Sequence, residues 1–287
     1  MHPAITEILK KYNCQNPHEY KNALKEIMQE IALLGLSRQN FFYNAAFYGG
    51  TALRIAHRLN RFSEDLDFTL IKANSHFDIN PFLKSIEEEF ISFGLKLTAE
   101  KKVKAKDSGI ESAFLKANTL EHLLKIEKVN NTDLRINKNE VIKIKLEIDT
   151  NPPTPPGKVE TLFLTEPIPF SYQILTLPSL FAGKLHAILC REYLGNRVKG
   201  RDYYDFIWYI NKQVEPDLEY LKGKLVESGK WDKKIVLTKS DLIKLLKEKF
   251  ISVDWIQAKK DISPFISDTK ELEVWSTAFF QSLLSKF

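Results

Sequence analysis

The chain has 287 residues, enough for one large domain or two modest ones, and its 44% hydrophobic and 28% charged residues are ordinary for a globular protein. A formal charge of +5 with scattered lysines permits a polyanionic partner without requiring one. Two distant cysteines, Cys14 and Cys190, point to neither a disulfide framework nor a zinc site. The segment MHPAITEILKKY has no apolar signal core, and no stretch is long enough to span a membrane, so a cytoplasmic protein without a membrane partner is expected.

His18–Leu36 reads as a helix, because Leu24, Ile27, Met28, Ile31 and Leu34 recur at helical spacing. Phe41–Tyr48 is aromatic and alanine-rich, a buried strand or a packed approach to the diglycine that follows. Thr51–Asn60 is a short amphipathic helix, Leu66–Leu70 a strand and Pro81–Phe93 another helix. Two or three strands are expected between Leu95 and Val129, and Val141–Asp149 alternates apolar and polar residues as a strand does. The prolines of Asn151–Gly157 then end regular structure. Phe170–Leu177 returns as a strand, and Pro178-Ser179 opens a helix to about Tyr193. Gly195–Arg201 is a basic turn and Asp202–Asn211 a helix. Val214–Phe287 reads as helical, with Asp241–Phe250 and Lys270–Ser285 the clearest pieces. The expected order is an α/β (α+β) region over residues 1–157, with N-terminal helices, followed by a mainly helical region over 158–287.

The chemistry concentrates in Tyr48–Phe68, YGGTALRIAHRLNRFSEDLDF. Gly49, Gly50 and Thr51 offer backbone N–H groups at a helix N-terminus, where the peptide dipoles favour an anion such as phosphate. Asp65 and Asp67 alternate on a strand, so they share one face roughly 6.5–7 Å apart along the chain. That spacing suits carboxylates flanking a pair of Mg²⁺ ions roughly 3.5–4 Å apart. The competing reading is a solvated acidic edge, since Asp-x-Asp alone is common. Gly49-Gly50 is equally a tight turn. Arg54, Arg58 and Arg61 recur at helical spacing, either as positive charge near the phosphate or as a wet face. Ser63 is a phosphate hydrogen-bonder or a turn serine.

A third carboxylate is sought on Ile142–Ile148, where Glu147 is first choice and Asp149 second; a wet strand face is the alternative. Lys184 lies on the otherwise apolar stripe of its helix, four residues from Leu180 and from Ile188. It either snorkels to the rim or neutralises triphosphate charge. In KGRDYYD, Lys199–Asp205, Asp202 caps its helix or serves the site, and Asp205 braces Lys184 or a substrate group. Lys199 and Arg201 form a basic rim. Tyr203, Tyr204, Trp208 and Tyr209 stack on bases or, more commonly at this density, fill a core.

Taken together, GGTALRIAHRLNRFSEDLDF, IKLEI, AGKLHAILCR and RDYYDF resemble the AbiEii/AbiGii family, the nucleotidyltransferase toxins of bacterial abortive-infection and toxin–antitoxin systems that include the MenT toxins. The resemblance spans roughly residues 47–208. It implies a DNA-polymerase-β-like nucleotidyltransferase core with a helical C-terminal region, Mg²⁺ dependence, an NTP donor and a cognate antitoxin. It also implies that Gly50 and Thr51 grip phosphate and that Asp65 and Asp67 hold metal. Lys184 would contact phosphate, and Asp202 or Asp205 would be the late acidic residue of the cleft, with Glu147 a looser assignment. The leading expectation is a toxin that transfers a nucleotide from an NTP to RNA, with tRNA the foremost acceptor. Nucleotidylation of a protein, phosphorylation of a small substrate by the same site, and a silent RNA- or protein-binding module are the competing readings.

Overall fold

The alternation in Val141–Asp149 (β5) is obeyed. Ile142, Ile144, Leu146 and Ile148 are fully buried, whereas Lys143, Lys145, Glu147 and Asp149 take the opposite face. The computed structural model describes residues 3–101, 110–118, 141–191 and 198–287. Around β5 stand β1 (Ala45–Tyr48), β2 (Leu66–Leu70), β3 (Thr98–Lys101), β4 (Ile110–Asn118), β6 (Val159–Leu164) and β7 (Phe170–Leu175). They form one mixed sheet in the order β3-β4-β5-β2-β1-β7-β6. β2 pairs antiparallel with β1 and parallel with β5; β4 pairs antiparallel with β3 and β5, and β1 runs parallel to β7.

The described helices are α1 (Pro3–Lys11), α2 (Pro17–Arg38), α3 (Gly49–His57), α4 (Asn80–Ser92), α5 (Leu177–Cys190), α6 (Gly200–Asn211), α7 (Leu218–Glu227), α8 (Lys239–Ile251), α9 (Trp255–Ile262) and α10 (Thr277–Leu283). α2 begins as its sequence dictates. Asn16 Oδ1 accepts from Glu19 N at 3.0 Å and Pro17 occupies the first turn, while Leu24, Ile27, Met28, Ile31 and Leu34 are buried. α8 carries a capping box, with Asp241 N donating to Thr238 Oγ1 and Thr238 N to Asp241 Oδ2. No described helix is long and apolar enough to cross a membrane.

The chain divides into two units. The first comprises Met1–Ala56, Phe62–Pro152 and Thr161–Ile174; the second comprises His57–Arg61, Pro153–Glu160 and Leu175–Phe287. The first unit is the sheet with α2 and α4: the two helices pack on each other, α2 also meets β5 and α4 meets β3. The second is helical around an aromatic core, in which Trp255 stacks on Phe280 at 4.3 Å and Tyr203 and Phe206 meet Phe250 edge-on.

Several elements depart from the sequence reading. β6 was not expected: at the sheet edge most of its residues meet water, so VETLFL shows no clean alternation, and Phe163 is exposed. Phe41–Tyr43 is a 3-10 turn ahead of the short β1. β3 and β4 supply two of the strands expected before Val129; residues 119–129, Tyr193 and the first three residues of the basic turn, 195–197, lie outside the described residues. Lys270–Ser285 is not one helix. Its start is a 3-10 turn, Thr269–Leu272, and Ser276 caps a fresh helix by accepting from Phe279 N at 3.2 Å. Burial of Trp275 beside Phe280 fixes that break.

One buried acid in α2 makes stability pH-dependent. Glu30 is 9% exposed, and its Oε2 has no hydrogen-bond partner among the described residues. Burial first, then Glu26 and Glu166, push its carboxyl well above the usual range. The unfolded chain ionises this group near its ordinary value while the fold keeps it protonated. The fold therefore pays nothing below that value and loses stability as pH rises above it. Glu30→Gln is expected to raise the thermal midpoint at about pH 8 and change it little at about pH 4, in melts compared across pH.

Candidate active site

In the first unit the register aligns the end of β1 with the start of β2 and the later part of β5. Tyr48 is the Cα partner of Asp67, Asp67 of Glu147, and Glu147 of Ser112 on β4. These four residues form one row across four strands. Leu66 and Phe68 are buried in the core, so Asp67 points to the opposite, half-exposed face. Asp65, also half-buried, does not share the strand as the spacing suggested: β2 begins at Leu66, so Asp65 stands just before it and strand alternation does not fix its face. Of the two choices for a third carboxylate, Glu147 stands beside Asp67. Asp149 stands beside Thr69, and its Oδ1 accepts from Asn151 N at 3.0 Å as a turn cap.

The diglycine is shaped by its neighbour. Gly49 has φ +84°, a left-handed value, and a β-carbon there would collide with Asp67 Oδ2 and lie 3.1 Å from Asp67 Cβ and Cγ. The Asp67 carboxylate therefore rests against bare backbone at the start of α3. Gly49→Ala is expected to cost about 1–2 kcal/mol from φ alone and to displace Asp67, measured as a lower thermal midpoint with greatly reduced transfer. Thr51 is fully buried, and its hydroxyl donates to the Asp65 carbonyl, tying the first turn of α3 to the entry of β2. Its side-chain proton is thus structural, and the backbone N–H groups carry the anion-binding character of the turn. Ser63, half-buried, presents its carbonyl to Gln29 Nε2 at 3.2 Å.

The donor set suits a hard divalent cation: carboxylate oxygens on one face beside an anion-favouring helix start. Among the described residues, no three His, Cys, Asp or Glu side chains already converge as a metal cage. Mg²⁺ does not demand one, since it is commonly held by one or two carboxylates together with substrate phosphates and water. Glu147 Oε2 is 2.7 Å from Lys145 Nζ. The residues fit the ion.

The second unit holds a charge network of its own. Lys184 Nζ lies 2.8 Å from both Asp202 Oδ1 and Asp205 Oδ2. Arg61 grips Asp205 with two parallel bonds, Nε–Oδ1 at 2.6 Å and a second guanidinium nitrogen to Oδ2 at 2.7 Å, and Arg191 pairs with Asp202. Arg61 and Asp205 are almost wholly enclosed. Burial opposes ionisation at Asp205, yet Arg61 and then Lys184 hold its carboxyl below the usual range. Burial likewise works against the Lys184 ammonium, and Asp202 and Asp205 outweigh it. Lys184 therefore neither snorkels nor stands alone; it is a fixed cation clasped by the two aspartates.

Of the three arginines expected at helical spacing only Arg54 lies in α3, which ends at His57 rather than Asn60. Arg54 pairs with Glu26 at 2.7 Å and lies over Phe62, Arg58 is exposed at φ +57°, and Arg61 is in the buried network. Tyr203 and Tyr209 are core, and Tyr204 donates to the Asn60 carbonyl at 3.2 Å. Arg201 lies over Phe265 and is mostly covered, so it forms no rim. Arg191 and Ser112 were not singled out from the sequence. Only the network and the sheet register reveal them: Arg191 ends the AGKLHAILCR run without being picked out there, and Ser112 sits in no local pattern.

A helix that starts on a diglycine, followed by Asp65 and by a strand on which Asp67 stands in register with Glu147, is an arrangement suited to nucleotidyl transfer. Comparison with known proteins agrees: the family model described as nucleotidyl transferase AbiEii toxin, type IV toxin–antitoxin system, matches residues 31–281. The chain belongs to this family. Among solved structures it is similar to MenT4, a nucleotidyltransferase toxin from Mycobacterium tuberculosis H37Rv, at 16% identity and TM-score 0.58, covering 98% of this chain and 88% of that one. It is also similar to JHP933 from Helicobacter pylori, at 18% identity and TM-score 0.51, covering 92% and 90%. At these identities the likeness carries the fold. No curated protein sequence matches the chain.

Proposed function

We propose that this toxin transfers a nucleotide from a nucleoside triphosphate to an RNA acceptor, with tRNA the foremost candidate. Asp65 and Asp67, assisted by Glu147, would hold Mg²⁺, with two ions the expected number. The observation that carries this reading is the register that sets Asp67 beside Glu147 and against the bare backbone of Gly49. When bound, the cation supplies charge neutralisation at the transferring phosphate. The Gly50 and Thr51 N–H groups at the start of α3 would donate to phosphate oxygens, and Ser63 lies on the loop leading to β2. The acceptor hydroxyl oxygen bonds the α-phosphorus, the bond to the bridging oxygen breaks, pyrophosphate leaves, and the hydroxyl proton passes to water. The charge of Lys184, kept by Asp202 and Asp205, has the sign a phosphate takes, which supports the role the resemblance gives these three residues. The net charge of +5 favours a polyanionic acceptor. A cognate antitoxin, the partner implied by a type IV system, would silence the activity.

The test is incubation with each labelled NTP, Mg²⁺ and total tRNA, with Asp67→Asn as the blank. Label on RNA, absent from the blank, is the expected result. Label confined to protein would move the acceptor to a polypeptide, and no label on either would overturn the assignment of transfer to this site.

A further inference from the structure

Ser112 on β4 is 2% exposed, and its Oγ has no hydrogen-bond partner among the described residues. Enclosed hydroxyls without partners are uncommon, because the lost hydration is not repaid. The register makes this one informative. Ala113, Leu115 and Ala117 fill the core, so Ser112 shares the opposite face with the carboxylates, directly across from Glu147. Directly opposed Cβ atoms in an antiparallel pair are about 4.5–5.5 Å apart, within reach of a serine hydroxyl for a glutamate carboxylate. Glu147 is instead drawn along its own strand to Lys145, 2.7 Å away. Lys145 and Glu147 are both about a third exposed, so this pair is weakly held.

We infer that Glu147 has two seats: the Lys145 pair seen here, and a cation-loaded seat beside Asp67 in which its carboxylate accepts a hydrogen bond from Ser112. Ser112 is then a positioning residue, and its unmet hydroxyl marks the loaded seat. The inference rests on the proposed metal-dependent reading of the carboxylate row. A carboxylate ligand held by a hydroxyl loses orientational freedom, and outer hydrogen-bond partners of this kind commonly change metal affinity by about 10-fold or more. Lys145 acts in the opposite sense, competing for the same carboxylate.

The test is titration of the full chain with Mn²⁺ alone, free ion followed by electron paramagnetic resonance, alongside thermal melts without metal. Ser112→Ala is expected to weaken Mn²⁺ binding by about 10-fold while leaving the metal-free melt nearly unchanged, and Ser112→Thr, which keeps the hydroxyl, to restore it. Lys145→Met is expected to tighten binding by about 2- to 5-fold, the reach of an exposed ion pair. If wild type binds Mn²⁺ and Asp67→Asn loses it, but Ser112→Ala binds as wild type does, this inference fails and the metal site stands. If wild type binds no Mn²⁺, both fall together.

Discussion

Asp67→Asn is expected to lower nucleotidyl transfer by about 10³-fold while leaving the thermal midpoint close to that of wild type. The side chain lies half-exposed on the polar face of β2, so an amide of the same shape disturbs little packing. The lost charge matters far more. Stabilisation of transferring phosphate by a held cation amounts to several kcal/mol, and each 1.36 kcal/mol is tenfold in rate, so about 4 kcal/mol gives about 10³. Asp149→Asn is the matched control, because that residue sits beside Thr69 and caps a turn, a task asparagine also performs. Initial rates with labelled NTP and melts of both variants decide the matter. Equal losses in the two would show that any carboxylate on this face serves, contrary to the row described here.

Arg61→Ala should give the largest loss of stability in the second unit. Its guanidinium and the Asp205 carboxylate are 2% and 0% exposed, joined by two short bonds, with Lys184 as the second cation on Asp205. Removing one member of an enclosed pair leaves the other charge uncompensated, which typically costs about 3–5 kcal/mol. For a chain of this size that corresponds to a fall in melting midpoint of roughly 10 °C. Arg61→Lys should fall between, since an ammonium keeps the charge and loses the two-pronged geometry. Arg54→Ala provides the contrast: its partner Glu26 is shared with Tyr12 and both members are less enclosed, so a smaller loss is expected. Denaturant titration of the three variants ranks them, and a wild-type midpoint for Arg61→Ala would show the network adds nothing net.

The order of α2, β2, α4 and β5 was legible from the local spacing of apolar residues; burial follows that spacing in α4 and in Ile142–Ile148 of β5, whereas α2 is buried on all sides from Glu26 to Leu36. The edge strand β6 and the broken helix near Ser276 were not, since one lacks a buried face and the other turns on Trp275 meeting Phe280. Within the candidate site, Gly49, Gly50, Thr51, Asp65 and Asp67 stand in a single run, where spacing specifies the helix start and the strand bearing Asp67 but overextends that strand to Asp65, since β2 begins at Leu66. Glu147 was half legible: alternation put it on the polar face, but only the parallel register of β2 with β5 chose it over Asp149. Ser112 belongs to no local pattern, and although Arg61 and Arg191 fall within quoted runs their partners do not follow from them: the partners of Ser112, Arg61 and Arg191 lie 35, 144 and 11 residues away along the chain. Thus the sequence by itself determined the helix start at the diglycine and the strand that carries Asp67, which need only neighbours in the chain. Which third carboxylate stands beside them, and which arginine is sealed against Asp205, were decided by the tertiary structure, because strand register and burial are properties of how distant segments pack.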